Sequence, residues 1–268
     1  MCLNNNFTVL LLEQIIRNQY WISKKLANWP EKIFGVTGQA IWSKKRIKEY
    51  YLHIQEVQNM ILNNADIQNL ERRFRANLIN SIGGFKSLTL IGTKSIDGTE
   101  NLALFSSFFH LGSHPALCGL IIRPGLPKKN TLGNIINTRV YTINHVMPDF
   151  LKKAHQCSAK YDEGVNEFGE TGLTAEYIDD VYAPFVQESK VKFSCELVQK
   201  TDIELNDTYL VIGQIRKIIL PENIVGNDGL VNLEDAETVT CSGLDTYHTT
   251  HKICRLSYAK VNEEIFEI

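Results

Sequence analysis

Asn101-Leu102-Ala103-Leu104-Phe105-Ser106-Ser107-Phe108-Phe109 decides how this 268-residue chain is read. It follows Asp97-Gly98, a dipeptide suited to a tight hairpin turn. Before that turn, from Ser87, the residues Leu88, Leu90 and Gly92 alternate with Thr89 and Ile91. Alternation with period two marks a strand, so the turn joins two antiparallel strands, the second predicted over 102–109. Moving downstream, 116–123 reads as a third strand, apolar enough to be buried on both faces, and 139–146 alternates as a fourth. Residues 190–199 and 209–220 form a long hairpin across Leu205-Asn206-Asp207, and 253–259 is a last strand. Helices are predicted at 132–137, 147–158 and 234–238. Antiparallel hairpins with helices between them predict a mainly β fold, a β-barrel with inserted helices, and exclude a parallel α/β sheet.

Upstream of Ser87 the period is helical. Ile47, Tyr50, Tyr51, Ile54, Val57 and Ile61 recur at spacings of three and four. A second helix is predicted over 67–82, with Leu70, Phe74, Leu78 and Ile82 on one side and Gly83-Gly84 ending it. Further upstream the composition breaks. All three Trp (Trp21, Trp29 and Trp42) lie there, and residues 1–50 carry eight Lys/Arg against three Glu. Residues 1–45 therefore read as a basic, Trp-containing extension, and 46–268 as one domain with helices at its start. Such an extension suits either a loosely ordered segment or an arm that docks on a membrane surface or nucleic acid.

The net charge of −2 argues against nucleic acid as the partner of the whole chain. The six Cys show neither C-x-x-C spacing nor a zinc pattern with His, so they read as reduced thiols of a cytoplasmic protein. No stretch approaches the ~20 apolar residues of a membrane span. The run Val9-Leu10-Leu11-Leu12 ends at Glu13 and lacks the flanks of a signal peptide. There is no G-x-G-x-x-G between strand and helix, no Walker A sequence and no G-x-S-x-G elbow. His145, His155, His248 and His251 have no carboxylate at a telling spacing and read as surface or structural residues. No catalytic side chain and no metal ligand is assigned.

Two polar runs remain. The serines of 101–109 expose backbone and hydroxyl donors without bulk, as a strand beside a flat ring would; an ordinary strand with two serines facing water reads the same way. The other run is Arg123-Pro124 followed by Lys128-Lys129-Asn130-Thr131-Leu132-Gly133-Asn134. There Thr131 stands at a helix start among cations, an arrangement that suits an anion. A capping threonine with solvated lysines would look the same.

Taken together, residues 86–260 resemble the flavin-reductase-like, FMN-binding split-barrel proteins. The resemblance is carried in order by Lys86-Ser-Leu-Thr-Leu-Ile-Gly-Thr93, Asn101-Leu-Ala-Leu-Phe-Ser-Ser107, Leu111-Gly-Ser-His-Pro115, Asn130-Thr-Leu-Gly-Asn-Ile135 and Tyr141-Thr-Ile-Asn144. It continues through Ala154-His-Gln-Cys-Ser-Ala159, Asn166-Glu-Phe168, Ala183-Pro-Phe-Val-Gln-Glu-Ser189, Ile212-Gly-Gln-Ile215 and Gly243-Leu-Asp-Thr-Tyr247. It implies an FMN-binding split β-barrel with a Greek-key type antiparallel core, working as a homodimer. Asn101, Ala103, Ser106 and Ser107 would lie near flavin, and Arg123, Thr131 and Asn134 near its phosphate or ribityl side. The implied activity is an NAD(P)H-dependent flavin reductase that passes hydride from nicotinamide to flavin N5. The alternatives are a non-enzymatic FMN carrier and a pyridoxamine-phosphate-oxidase-like enzyme. This chain departs from many relatives at Asn130, where they carry Asp, and at Asn166, where they carry Ser. Residues 1–45 match nothing in the family pattern.

Overall fold

The computed structural model describes residues 32–34, 40–43, 59–124, 131–162 and 165–268. The chain divides into two units, 1–69 and 70–268. In the first, β1 (Lys32–Phe34) and β2 (Ala40–Ser43) pair antiparallel, with Ile33 opposite Trp42. The helix α1 (Asn64–Asn69) starts with a reciprocal pair, in which Asn63 N donates to Asp66 and Asp66 N to Asn63 Oδ1. Of the helix expected over 47–61, residues 47–58 lie outside the described residues, and 59–61 are not helical. Most of the 1–45 extension also lies outside them.

The helix expected over 67–82 is two helices. Glu71 takes a non-helical backbone (φ −52°, ψ 138°) and its carboxylate accepts from Arg73 N at 2.8 Å and Phe74 N at 2.9 Å, capping α2 (Arg72–Ile82). Gly84 then adopts a left-handed φ of 78°, which turns the chain into the sheet.

In the second unit the strands are β3 (Lys86–Ser87), β4 (Thr89–Lys94), β5 (Glu100–Phe105), β6 (Phe109–Ser113), β7 (Ala116–Ile122) and β8 (Val140–His145). They continue with β9 (Ala175–Glu176), β10 (Phe185–Val186), β11 (Lys192–Ile203), β12 (Thr208–Ile219), β13 (Thr240–Ser242) and β14 (Thr246–His248). Between them come α3 (Thr131–Thr138), α4 (Leu151–Gln156) and α5 (Glu167–Thr171). Seven strands form one antiparallel sheet in the order β5-β4-β8-β11-β12-β7-β6.

That order forces curvature. β5 and β6 are consecutive in the chain yet occupy opposite edges of the sheet, joined only by Ser106, Ser107 and Phe108. In a flat sheet the two edges would stand roughly 29 Å apart, at about 4.8 Å per spacing. The step from Phe105 to Phe109 spans at most roughly 15 Å. The sheet therefore curls into an open barrel, and 106–108 bridges the split. The single strand expected over 102–109 is corrected to two strands, because the chain changes edges at the two serines.

Both faces of β4 are covered, with Thr89 to Thr93 all buried. One face holds Ile91 with Ile135, Tyr141, Ile143, Phe193 and Val211, and forms the barrel interior. The other holds Leu88, Leu90 and Leu102 beneath Phe150, Ala154, Phe168 and Val239. Two glycines allow close approach. A Cβ on Gly213 would lie 2.0 Å from the Tyr141 hydroxyl, and one on Gly92 would lie 2.2 Å from the Pro184 carbonyl oxygen. Across Gly92, Thr142 Oγ1 donates to Pro184 O at 2.6 Å and Asn144 Oδ1 accepts from Val186 N at 2.9 Å, which fixes the 183–186 segment.

Two expectations near the C-terminal side are corrected. Residues 234–238 form turns rather than a helix. Residues 253–259 contribute one bridge, Leu256 to Glu267, instead of a full strand. The small sheet β14-β13-β3 forms instead, from segments too short to show an alternating pattern.

Candidate functional site

The register of the β4–β5 hairpin places Thr93 opposite Asn101 and Ile91 opposite Ala103. Alternation then turns Asn101 and Ala103 to the same face. There α3 packs against β4, β5 and β8, its Ile135 fully buried in the barrel interior and its first residue, Thr131, buried beside the sheet. Four side chains meet at this junction. Asn101 Nδ2 donates to Thr93 Oγ1 at 3.1 Å and to Thr131 Oγ1 at 3.2 Å. Asn134 Nδ2, one helical turn after Thr131, donates to Thr93 Oγ1 at 3.1 Å. Buried amides and hydroxyls are stable only when paired, and here they pin the start of α3 to the hairpin.

Three of the residues read from sequence (Asn101, Thr131 and Asn134) are thus brought together, with Ala103 two positions along the same strand face. Ser106 and Ser107 follow in the split of the barrel, both half-buried. Ser107 Oγ donates to the Ile121 carbonyl of β7 at 2.7 Å, stitching the bridge to the strand beside the far edge. Among the described residues Ser106 Oγ has no protein partner. Arg123 stands apart from the cluster: it is exposed, and its Nη2 donates to Asn80 Oδ1 of α2 at 3.0 Å. Lys128, Lys129 and Asn130 lie outside the described residues. Thr131 is the first described residue of α3.

Sequence reasoning passed over two members of this region. Thr93 accepts from both amides, and the Asp97-Gly98 turn already sets it across from Asn101. Glu167 accepts from Leu102 N at 3.0 Å, satisfying a backbone donor on the open edge of β5. Asn166 caps α5, accepting from Phe168 N at 2.9 Å, and donates to Glu100 at 2.8 Å. No signal short of the tertiary fold brings α5 to β5.

The donor set is neutral. Hydroxyls and carboxamides can meet the N and O atoms of a heteroaromatic ring and a polyol chain without protonation. The described first turn of α3 carries no acidic residue, and the N-terminal end of a helix favours an anion. The residues fit a flavin nucleotide. The histidines do other work: His145 Nδ1 bonds Thr238 Oγ1 at 3.3 Å, His248 Nε2 bonds Ser242 Oγ at 2.8 Å, and His155 bonds the Tyr247 hydroxyl. Burial holds His145 at a pKa of about 4, neutral at physiological pH. Among the described residues no cluster of His, Cys, Asp and Glu suits a metal ion.

An open antiparallel barrel with this junction at one end defines the class, a split-barrel, flavin-related oxidoreductase. The chain belongs to the family described as "Flavin reductase like domain", whose model matches residues 85–237. A protein from Shewanella frigidimarina, assigned as a flavin reductase with a split barrel domain, is 46% identical; the match covers 75% of this chain and 100% of that one, with a TM-score of 0.72. Nitrilotriacetate monooxygenase component B from Bacillus cereus shares the fold at 16% identity, over 73% of this chain and 98% of its own, with a TM-score of 0.65. An uncharacterized protein from Aquifex aeolicus is 27% identical over 168 residues, which are 62% of this chain and 85% of that one.

Proposed function

We propose that this protein is an NAD(P)H:flavin oxidoreductase that binds FMN. The observation that carries the reading is the buried Asn101–Thr93–Thr131–Asn134 junction, which fixes a helix N-terminus beside a strand of small residues in a family built around flavin. FMN is favoured over FAD because no adenine-binding motif is visible in the sequence. When bound, flavin supplies the hydride chemistry by accepting from a nicotinamide at N5.

The chain's own residues bind and orient. Asn101, held by two hydroxyls, cannot swing away from the β5 face. Ala103 leaves room for a ring to lie close to the strand. Ser106 and Ser107 edge that ring at the split, and Ser106 keeps its hydroxyl for the ligand. Thr131 and Asn134 take the ribityl and phosphate end; Arg123, bonded to Asn80, would have to leave that bond to add positive charge there. Transfer between stacked rings needs no acid–base triad, in keeping with the histidines' structural bonds. The working unit is a homodimer with flavin near the subunit interface, which would cover the two open sheet edges, β5 and β6. The five described Cys are free thiols. Among the described residues no helix is long and apolar enough to cross a membrane. A cytoplasmic location suits both.

The deciding experiment is the absorbance spectrum of the purified protein, mass analysis of the released cofactor, and anaerobic titration with NADH and NADPH. Bound FMN bleached by either nucleotide supports the proposal. FAD as the main cofactor refutes the FMN assignment. Bound flavin that neither nucleotide reduces refutes the reductase.

A further inference from the structure

Residues 249–268 form a hairpin arm with no core of its own. Leu256 pairs antiparallel with Glu267, Ser257 N donates to Phe266 O at 2.8 Å, and Ile268 N donates to Arg255 O at 2.9 Å. Asn262, with a left-handed φ of 65°, makes the turn. An ion pair from Arg255 to Asp228 ties the arm's root to the body.

Every residue of the arm is exposed except half-buried Ser257. Ile253 is 97% exposed, Val261 91%, Tyr258 88%, Phe266 63%, Ile268 62% and Leu256 53%. These six present on the order of 900 Å², comparable with the roughly 800 Å² that each partner buries in a standard protein interface. A lone two-stranded hairpin is marginal in water, and one with apolar side chains on both faces is built to be covered.

A second apolar surface lies close to the arm's root. No residue of α2 is buried, and Phe74 is 48% exposed, Ile79 44% and Ile82 71%, followed by Phe85 at 69%. His248, the last residue before the arm, packs edge-on against Phe85 with ring centroids 4.8 Å apart. The arm thus springs from beside the C-terminal end of α2 yet leaves that helix uncovered. Two-fold symmetry resolves both exposures at once, because each arm can cover the α2 of the other copy. A hairpin of this length reaches about 20 Å, enough to cross onto a neighbour.

We propose that residues 249–268 are an exchange arm that lies on α2 of a second copy of this chain. The inference rests on the homodimer reading above and names the segment that holds it.

Sedimentation velocity over a concentration series tests it. The variant Tyr258→Glu with Val261→Asp alters only side chains that are almost fully exposed in a single chain, and Ile82→Asp alters the receiving helix. Far-ultraviolet circular dichroism and thermal melts check that each variant keeps its fold. The expected result is a dimeric wild type and, for both variants, a dimer dissociation constant raised at least a hundredfold. A dimeric wild type whose variants dissociate at the same concentration overturns the arm and leaves the homodimer standing. A monomeric wild type overturns both.

Discussion

Replacing Thr131 by Val tests the proposed phosphate end of the candidate site. The change keeps the shape and removes one buried oxygen that accepts from Asn101 Nδ2 at 3.2 Å. Asn101 keeps its bond to Thr93, so the protein loses one neutral hydrogen bond, about 1 kcal/mol. That lowers the melting temperature by roughly 2–4 °C for a domain of this size. In the wild type Thr131 Oγ1 accepts from Asn101, and among the described residues it has no acceptor for its own proton. If that proton meets a phosphate, the charged hydrogen bond contributes about 1.5–3 kcal/mol, and FMN affinity falls tenfold or more. Riboflavin lacks the phosphate and should bind nearly as before. Thr131→Ser keeps the hydroxyl and should retain FMN affinity. Fluorescence titrations of both ligands against the three proteins, with melts alongside, give the answer. Equal losses for FMN and riboflavin would refute a phosphate at Thr131 and leave it a purely structural residue.

Tyr141 has a buried hydroxyl that meets only the Cys118 and Cys195 thiols, which are weak hydrogen-bond partners, so Tyr141→Phe should be nearly neutral in urea unfolding; a loss above about 1 kcal/mol would contradict that reading. Gly213→Ala should destabilise by about 1–3 kcal/mol, because the new methyl would sit 2.0 Å from the Tyr141 hydroxyl and 3.2 Å from Cys195 Cβ. The combination with Tyr141→Phe should recover part of that loss, and strict additivity of the two changes would count against the clash. Acid should also weaken the fold through His145. Its pKa falls from 6.5 to about 4 on burial, so the unfolded chain takes up the proton first. That contribution is intact above pH 6.5 and is lost progressively as pH falls toward 4, up to about 3 kcal/mol. Melts of wild type and His145→Gln across that window should converge at low pH, whereas parallel curves would show that His145 does not carry the effect.

The sequence determined the antiparallel character of this protein and the position of nearly every long strand, because alternation and turn dipeptides are local signals. The Asp97-Gly98 turn fixed the register that sets Asn101 across from Thr93, and the change of period at Gly83-Gly84 separated helix from sheet. It also singled out Asn101, Thr131 and Asn134, through their order in a family pattern. Only the tertiary structure decided that 102–109 breaks at the serines. Strand propensity runs unbroken through Phe105 to Phe109, and what ends the strand is the need of a seven-stranded sheet to bring its two edges together. Likewise Glu167 and Thr93 joined the candidate site, and Arg123 turned to Asn80 of α2, through contacts between segments far apart in the chain. The apolar faces of α2 and of the 249–268 arm are plain in the sequence as hydrophobic residues. That they remain uncovered in one copy is a matter of where the rest of the chain packs, which no local pattern encodes.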